Sequence, residues 1–183
     1  MRYISLLRGI NVGGHNIVPM ARLKTLYESC GFKNVVTYIQ SGNVIFDSAE
    51  RNIDGLCMKI EDVIELEYAF HVPADIRTHL ELKKVLENSP FEKSLSEENG
   101  SMIIVVFLKS ESSREQHKAL LKYVRASEQL SICKKEIYLY SPEGYGKSKL
   151  TCTLIEKKLG TSATTRNWKS VKKLYELSAV KMV

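Results

Sequence analysis

A glycine-rich loop that contains one lysine and is followed by a second is the clearest place where this sequence could bind an anion. It reads Ser141-Pro-Glu-Gly-Tyr-Gly-Lys-Ser148 and lies between a predicted strand and a predicted helix. Backbone N–H groups at a helix start, together with a lysine, are a common phosphate-binding arrangement. The pattern argues against a nucleotide P-loop, because Ser141 stands where glycine is required and Pro142 lacks an N–H. What it predicts is a looser anion site formed by Gly146, Lys147, Ser148 and Lys149.

Two residues near the C-terminus, Arg166 and Asn167, are predicted to join this loop, because they end the last strand of the same sheet. Arginine can hold a phosphate or carboxylate with two parallel hydrogen bonds, and Trp168, the only tryptophan, can stack on a ring. The alternatives are structural. Ser148 and Asn167 can each cap an ordinary helix, and Trp168 can pack in a core.

A second polar cluster is expected where the loop after the first strand meets the next hairpin. Its members are Arg8, Asn11, Gln40, Ser41 and Asn43. Glycines lie between them, and glycine permits positive φ and close approach of a ligand to backbone N–H groups. The alternative is a pair of tight turns whose amides and hydroxyls bond to their own backbone.

Metal and cofactor chemistry receives no support from the sequence. The four cysteines and four histidines are scattered, with no Cys-x-x-Cys pair, so we predict no metal site and no cofactor. Free thiols fit a reducing compartment, and Arg8 interrupts the N-terminal apolar stretch too early for a secretory signal. No apolar run approaches the roughly 18 residues of a membrane span. We therefore expect a cytoplasmic protein without a membrane partner.

The positive charge is concentrated at one end of the chain. The 183 residues carry 27 basic and 21 acidic side chains, a net charge of +6. Residues 1–132 hold 16 basic and 17 acidic side chains, whereas residues 133–183 hold 11 and 4. This excess indicates either an anionic partner or the solvated faces of lysine-rich helices.

The elements that must position these residues follow from hydrophobic periodicity. In the first half the order is strand, helix, strand, strand, helix, strand, which is the split βαβ or ferredoxin-like order. The predicted segments are a strand over 3–7, a helix after Pro19, strands over 35–39 and 44–46, a helix from Ile53 and a strand over 72–77.

The second half repeats this order after a connecting helix. Thr78-x-x-Glu81 and Ser112-x-x-Glu115 are capping-box patterns that predict helix starts. The predicted strands cover 102–108, 129–133, 136–140 and 162–165, and the last helix covers 168–178. We therefore predict an α+β protein with two tandem ferredoxin-like (α/β-plait) subdomains. Residues 1–77 form the first, 78–100 a connecting helix and linker, and 101–183 the second, which ends in an amphipathic helix.

Four ordered motifs resemble the bacterial family called domain of unknown function 1697. They are Arg8-Gly-Ile-Asn-Val-Gly-Gly14, Thr37-Tyr-Ile-Gln-Ser-Gly-Asn-Val44, Gly146-Lys-Ser-Lys-Leu150 and Thr165-Arg-Asn-Trp168. The likeness runs from Tyr3 to about Leu177. It implies two α/β-plait subdomains and brings no catalytic residue, substrate or cofactor.

The functional hypothesis is that the Lys147/Arg166 end binds an anionic, phosphate-bearing small ligand. One alternative is an RNA-binding module, which would carry exposed aromatic side chains on a sheet face, with Tyr3 and Phe46 as candidates. Another is a non-catalytic, partner-docking protein with an exposed apolar patch. The sequence leaves open whether the protein is an enzyme and whether it forms oligomers.

Overall fold

The computed structural model describes residues 1–91 and 100–179. The chain divides into two compact units. The first comprises Met1–Lys83 and the segment from Leu174 onwards, and the second is Lys84–Lys173. Residues 92–99 of the predicted linker lie outside the described residues. The subdomain limits drawn from the sequence stay a prediction.

The first unit contains a four-stranded antiparallel sheet and two helices in the predicted order. Its sheet runs β2-β3-β1-β4. The elements are β1 (Arg2–Leu7), α1 (Met20–Ser29), β2 (Lys33–Tyr38), β3 (Asn43–Asp47), α2 (Ile53–Tyr68) and β4 (Ala74–Thr78).

The core of the first unit lies between this sheet and its two helices. Tyr3, Tyr27, Phe32 and Phe46 form an aromatic cluster there, with ring centroids 4.5 to 5.9 Å apart. The buried hydroxyl of Tyr27 donates to Ser5 Oγ across 2.9 Å, which satisfies both groups without water. Burial strongly raises the pKa of Tyr27, so this hydroxyl stays protonated.

The second unit contains a sheet of the same pattern, β6-β7-β5-β8, which is also antiparallel. All six residues of β5 are buried, so the continuous apolar run forms an inner strand as predicted. The elements from the connecting helix onwards are α3 (His79–Glu87), β5 (Ile103–Leu108), α4 (Arg114–Leu121), β6 (Gln129–Cys133), β7 (Glu136–Tyr140), α5 (Cys152–Leu159), β8 (Ala163–Asn167) and α6 (Trp168–Ser178). Helices α3 and α6 each cross from one unit to the other along the chain.

Two capping predictions have different outcomes. The box of Thr78 and Glu81 is present, with Thr78 N–H donating to Glu81 Oε2 across 2.7 Å. The second prediction is wrong by one residue, because the cap of α4 is Ser113 with Gln116. The Gln116 amide accepts from Ser113 N–H and also donates to Leu159 O across 2.8 Å. A glutamate carboxylate cannot donate a hydrogen bond to Leu159 O, so the glutamine at position 116 determines which residues form the capping box.

The two last strands carry a buried arginine at the same position. Arg77 of β4 pairs with Ile4, and Arg166 of β8 pairs with Val105. Each partner is the third residue of the central strand, and each arginine lies one residue before a residue whose side chain caps the following helix, Thr78 in one case and Asn167 in the other. The two units thus share this arginine and the capping residue after it.

Candidate functional site

The Gly-Lys-Ser segment does not begin a helix, so this prediction is wrong. Tyr145–Lys147 form a single 3₁₀ turn, and α5 begins at Cys152 with Thr151 as its cap. The N–H groups of Lys147 and Ser148 donate to Gly144 O and Tyr145 O within the turn. They are therefore engaged by the backbone rather than presented to a ligand.

The packing of this loop explains why the helix starts late. Leu150 is fully buried, and its N–H donates to Ser148 Oγ across 3.1 Å, so the serine closes a local turn instead of capping α5. The Tyr145 hydroxyl donates to Leu150 O across 3.1 Å, and burial raises the pKa of Tyr145 well above its ordinary range. Lys147 and Lys149 remain exposed on the outside of this anchored loop.

The loop and the end of β8 leave the same edge of the second sheet. Tyr140 at the end of β7 pairs with Ile103, and Asn167 pairs with the adjacent Ile104. Ser141 N–H also donates to Met102 O across 2.8 Å. One strand lies between the two ends, which corresponds to about 10 Å at the usual strand spacing. The structure thus brings the two predicted segments to one edge.

The side chains of Arg166 and Asn167 each make a hydrogen bond within the fold, and Trp168 packs in the core. Arg166 is only 7% exposed, and its Nη1 donates to Thr165 O across 2.7 Å. Asn167 Oδ1 accepts from Ser170 N–H across 2.8 Å, which caps α6 and leaves the amide Nδ2 as the group that can meet a ligand. Trp168 is buried, as its alternative interpretation predicts.

The second predicted cluster is brought together, and Asn11 joins its two loops. Asn11 Nδ2 donates to Gln40 O across 2.8 Å and to Val18 O across 3.0 Å, while its Oδ1 accepts from Val18 N–H across 2.8 Å. Asn43 is fully buried and donates to Tyr38 O and to Ser41 Oγ. Both asparagines therefore hold the turns, as the structural alternative predicts, while Arg8 is half-buried beside them.

Asn11→Asp is expected to lower the free energy of unfolding by about 1–3 kcal/mol, because two carbonyls lose their donor and face a negative charge. Asn16→Asp is the matched control. Asn16 also has positive φ, but its Nδ2 donates only to Gly9 O. Chemical denaturation followed by circular dichroism measures both variants. An equal loss in the two would show that the bonds of Asn11 do not hold the loops.

The aromatic candidates for RNA binding are buried. Tyr3 and Phe46 are at most 1% exposed and pack on each other with centroids 5.7 Å apart. Neither ring can stack on a base, so this sheet face is not an RNA-binding platform.

A cavity of about 770 Å³ in the first unit was not anticipated from the sequence. Asp47 is one of its lining residues, and its carboxylate lies 3.0 Å from Arg2 Nε and 2.7 Å from Asn34 Nδ2. Partial burial acts to raise the pKa of Asp47, but the hydrogen bonds from Asn34 and Arg2 outweigh it, and the pKa lies below its ordinary value. Arg2 and Asp47 are direct partners in the β1–β3 register, which is the signal that could have identified the pair.

Metal-ligating clusters and membrane-spanning helices do not occur in the part of the chain that the structure describes. Within residues 1–91 and 100–179, no three or more His, Cys, Asp or Glu side chains are placed to hold a metal ion. Among the helices described there, none has the length and apolar character that crossing a membrane requires.

Comparison with known proteins identifies a family and a solved structure to which this chain is similar. The family model described as "Protein of unknown function (DUF1697)" matches residues 1–138. Among solved structures, the conserved bacterial protein SP0830 from Streptococcus pneumoniae is similar, with a TM-score of 0.75 and 28% sequence identity. The alignment covers 97% of this chain and 98% of that one. No curated protein matches the chain.

Proposed function

The chain belongs to the DUF1697 family of proteins of unknown function, and we propose from its own geometry that it binds an anionic, phosphate-bearing small ligand. The binding groups are Lys147 and Lys149, with Arg166 and Asn167 at the neighbouring strand end. The observation that carries the proposal is the shared sheet edge, where β7 and β8 end on either side of β5.

The charge at this edge supports the proposal. Lys147 and Lys149 are exposed, and α6 begins there with Lys169 and without an acidic residue in its first turn. The nearest acidic residue of the loop, Glu143, accepts from Ser127 Oγ across 3.0 Å and pairs with Arg125 at 3.6 Å. Arg125 therefore offsets the negative charge of Glu143. The exposed Lys147 and Lys149 keep a positive potential at this edge, which attracts a phosphate.

We also propose that each unit is ferredoxin-like and that the chain arose by tandem duplication. The element order and the strand order are the same in the two units. The equivalent positions of Arg77 and Arg166 support the duplication, because a register match of buried charged residues is unusual between unrelated sheets. The free cysteines among the described residues support a cytoplasmic location.

The test is ligand binding by a variant that lacks both exposed lysines. Wild-type protein is screened by thermal shift and calorimetry against inorganic phosphate, pyrophosphate, adenosine monophosphate and a sugar phosphate. Lys147→Gln/Lys149→Gln is expected to weaken the best ligand about tenfold, since each exposed charge pair contributes up to roughly 1 kcal/mol.

A matched control removes the same charge from the opposite edge of the sheet. Lys134 and Lys135 are exposed in the turn between β6 and β7, and Lys134→Gln/Lys135→Gln should bind the ligand as wild type does. The proposal is refuted if no ligand of the panel binds wild-type protein, or if the two double variants lose affinity equally.

A further inference from the structure

The outer surface of α4 and α5 carries a group of basic side chains that is separate from the loop edge. The two helices lie side by side, and the contact between Gln116 Nε2 and Leu159 O ties the start of α4 to the end of α5. We call this surface the basic face, and its residues are Arg114, Lys118, Lys122, Lys157 and Lys158.

Three of these residues form a regular row. Arg114, Lys118 and Lys122 follow one another at intervals of four residues and are all exposed. Such spacing places side chains on one side of a helix, about 6 Å apart along its axis. The row therefore presents evenly spaced positive charges along one line.

One of the other two lysines, Lys158, contacts Tyr123, which directly follows the last residue of this row. Lys158 Nζ lies 5.2 Å from the centroid of the Tyr123 ring. A side-chain hydrogen bond from Lys158 and its charge lower the pKa of Tyr123, and the charges of Lys122 and Lys157 lower it further. Lys158 thus lies against the Tyr123 ring, and Lys122 and Lys157 are near enough for their charges to favour its ionised form.

The acidic side chains of the two helices are bound elsewhere. Glu156 Oε1 accepts from Ala163 N–H across 2.9 Å. The carboxylate of Glu115 accepts hydrogen bonds from the Glu115 backbone N–H and from the Ser113 side chain, which lower the pKa of Glu115. In the described residues, Lys118, Lys122, Lys157 and Lys158 form no ion pair with a carboxylate. Glu115 and Glu156 keep their negative charges, but the five basic side chains outnumber them, so the basic face retains a net positive charge for an external anion.

We propose that the basic face binds the phosphodiester backbone of single-stranded nucleic acid without sequence preference. An exposed lysine–phosphate contact is weak, so a surface of this kind needs several regularly spaced phosphates to bind measurably. A single small phosphate can meet only part of the row. Charge complementarity along the whole row therefore favours a polymeric anion.

A membrane surface fits the basic face less well. Helices that lie on membranes insert an apolar face between the lipids. In α4 that face is used inside the unit, where Leu120 is fully buried, and Leu121 is the large apolar side chain left outside, at 52% exposure. One leucine offers little apolar area for insertion.

The test is fluorescence anisotropy with a labelled oligouridylate of about 20 nucleotides, which is longer than the roughly 4–16 nucleotides that a sequence-tolerant site covers. If all five basic side chains contact phosphates, the logarithm of affinity should fall with the logarithm of salt concentration with a slope of about −3.5. Lys122→Gln/Lys157→Gln/Lys158→Gln should reduce this slope by about 2 and weaken binding at low salt at least about tenfold.

The control is Lys33→Gln/Lys134→Gln/Lys135→Gln, which removes the same charge from exposed positions outside the basic face. It should retain most of the affinity, and Lys147→Gln/Lys149→Gln should too, which separates this surface from the proposed ligand site. Absence of binding at low salt, or equal loss in the two triple variants, would overturn the proposal. Binding to phosphatidylserine vesicles but not to RNA would overturn it in favour of a lipid surface.

Discussion

Gly42→Ala is expected to lower the free energy of unfolding by about 2–4 kcal/mol, because the added methyl group meets two separate obstacles. Gly42 has φ +75°, a conformation that is unfavourable for alanine. A Cβ at this position would also lie 2.7 Å from Ile10 Cδ1 and 2.8 Å from Leu7 Cβ. The Leu7 Cβ is attached directly to the backbone of β1, so it cannot move away without shifting the strand.

Gly9→Ala separates the two effects. Gly9 has φ +73°, yet a Cβ there would have no heavy atom within 4 Å. This variant should therefore lose only the backbone contribution, about 1–2 kcal/mol. Urea denaturation of both variants, followed by far-ultraviolet circular dichroism, measures the difference. Equal losses would mean that Ile10 and Leu7 relax around the methyl group and that close packing does not require the glycine.

This comparison bears on the interpretation of the second polar cluster. Gly42 O accepts from Leu7 N–H across 2.8 Å, and Gly42 itself is packed against Ile10. The absence of a side chain at Gly42 therefore allows the β2–β3 hairpin to pack closely against the loop after β1. Together with the hydrogen bonds of Asn11, this shows that the polar residues of the second cluster mainly hold its two loops together. A ligand at this end of the sheet would contact mainly the outer surface of these loops.

The order of elements was predictable because it depends on features that a sequence displays directly. The apolar run before Leu108 forms an inner strand, and the pattern of Thr78 and Glu81 starts α3. Turn signals and hydrophobic period both depend on neighbouring residues. For the same reason the amino-acid sequence was sufficient to place the loops of the second cluster at one end of a sheet.

The ends of helices and strands were less predictable where two nearby residues could each end the element and tertiary contacts determine which one does. Both Ser148 and Thr151 can cap a helix, and the burial of Leu150 decides for Thr151. Strand β2 ends at Tyr38 because Ile39 adopts φ +48°, which is rare for a β-branched residue. Its apolar, β-branched side chain predicts the opposite, a continuing strand.

The charge distribution along the chain located only part of the basic surface. The excess in residues 133–183 includes Lys157 and Lys158, but the row on α4 lies in the nearly neutral part before residue 133. Packing of α4 beside α5 brings the two sets together, where five basic side chains outnumber the two acidic residues of these helices, Glu115 and Glu156. A count along the sequence cannot show this, because it depends on which helices are neighbours.

Phe46→Ala is expected to lower the free energy of unfolding of the first unit by about 3–5 kcal/mol, the range for removing a buried aromatic ring. Phe46 is fully buried, and its ring contacts those of Phe32, Tyr27 and Tyr3 at centroid distances of 4.5, 5.5 and 5.7 Å. Phe46→Leu retains most of the apolar volume and should lose about 1–2 kcal/mol.

Two measurements on the Phe46 variants show which unit loses stability and whether the aromatic sheet face takes part in RNA binding. Trp168 is the only tryptophan and belongs to the second unit, so its fluorescence follows that unit, whereas far-ultraviolet circular dichroism follows the whole chain. A loss confined to the first unit should appear in circular dichroism before it appears in fluorescence. Under conditions where Phe46→Leu is folded, its affinity for oligouridylate should equal that of wild type, because binding through the basic face does not involve this ring. If the folded leucine variant bound RNA more weakly while its stability was unchanged, Phe46 would have to contact RNA on an accessible sheet face. That outcome would contradict both the burial of this ring and binding through the basic face alone.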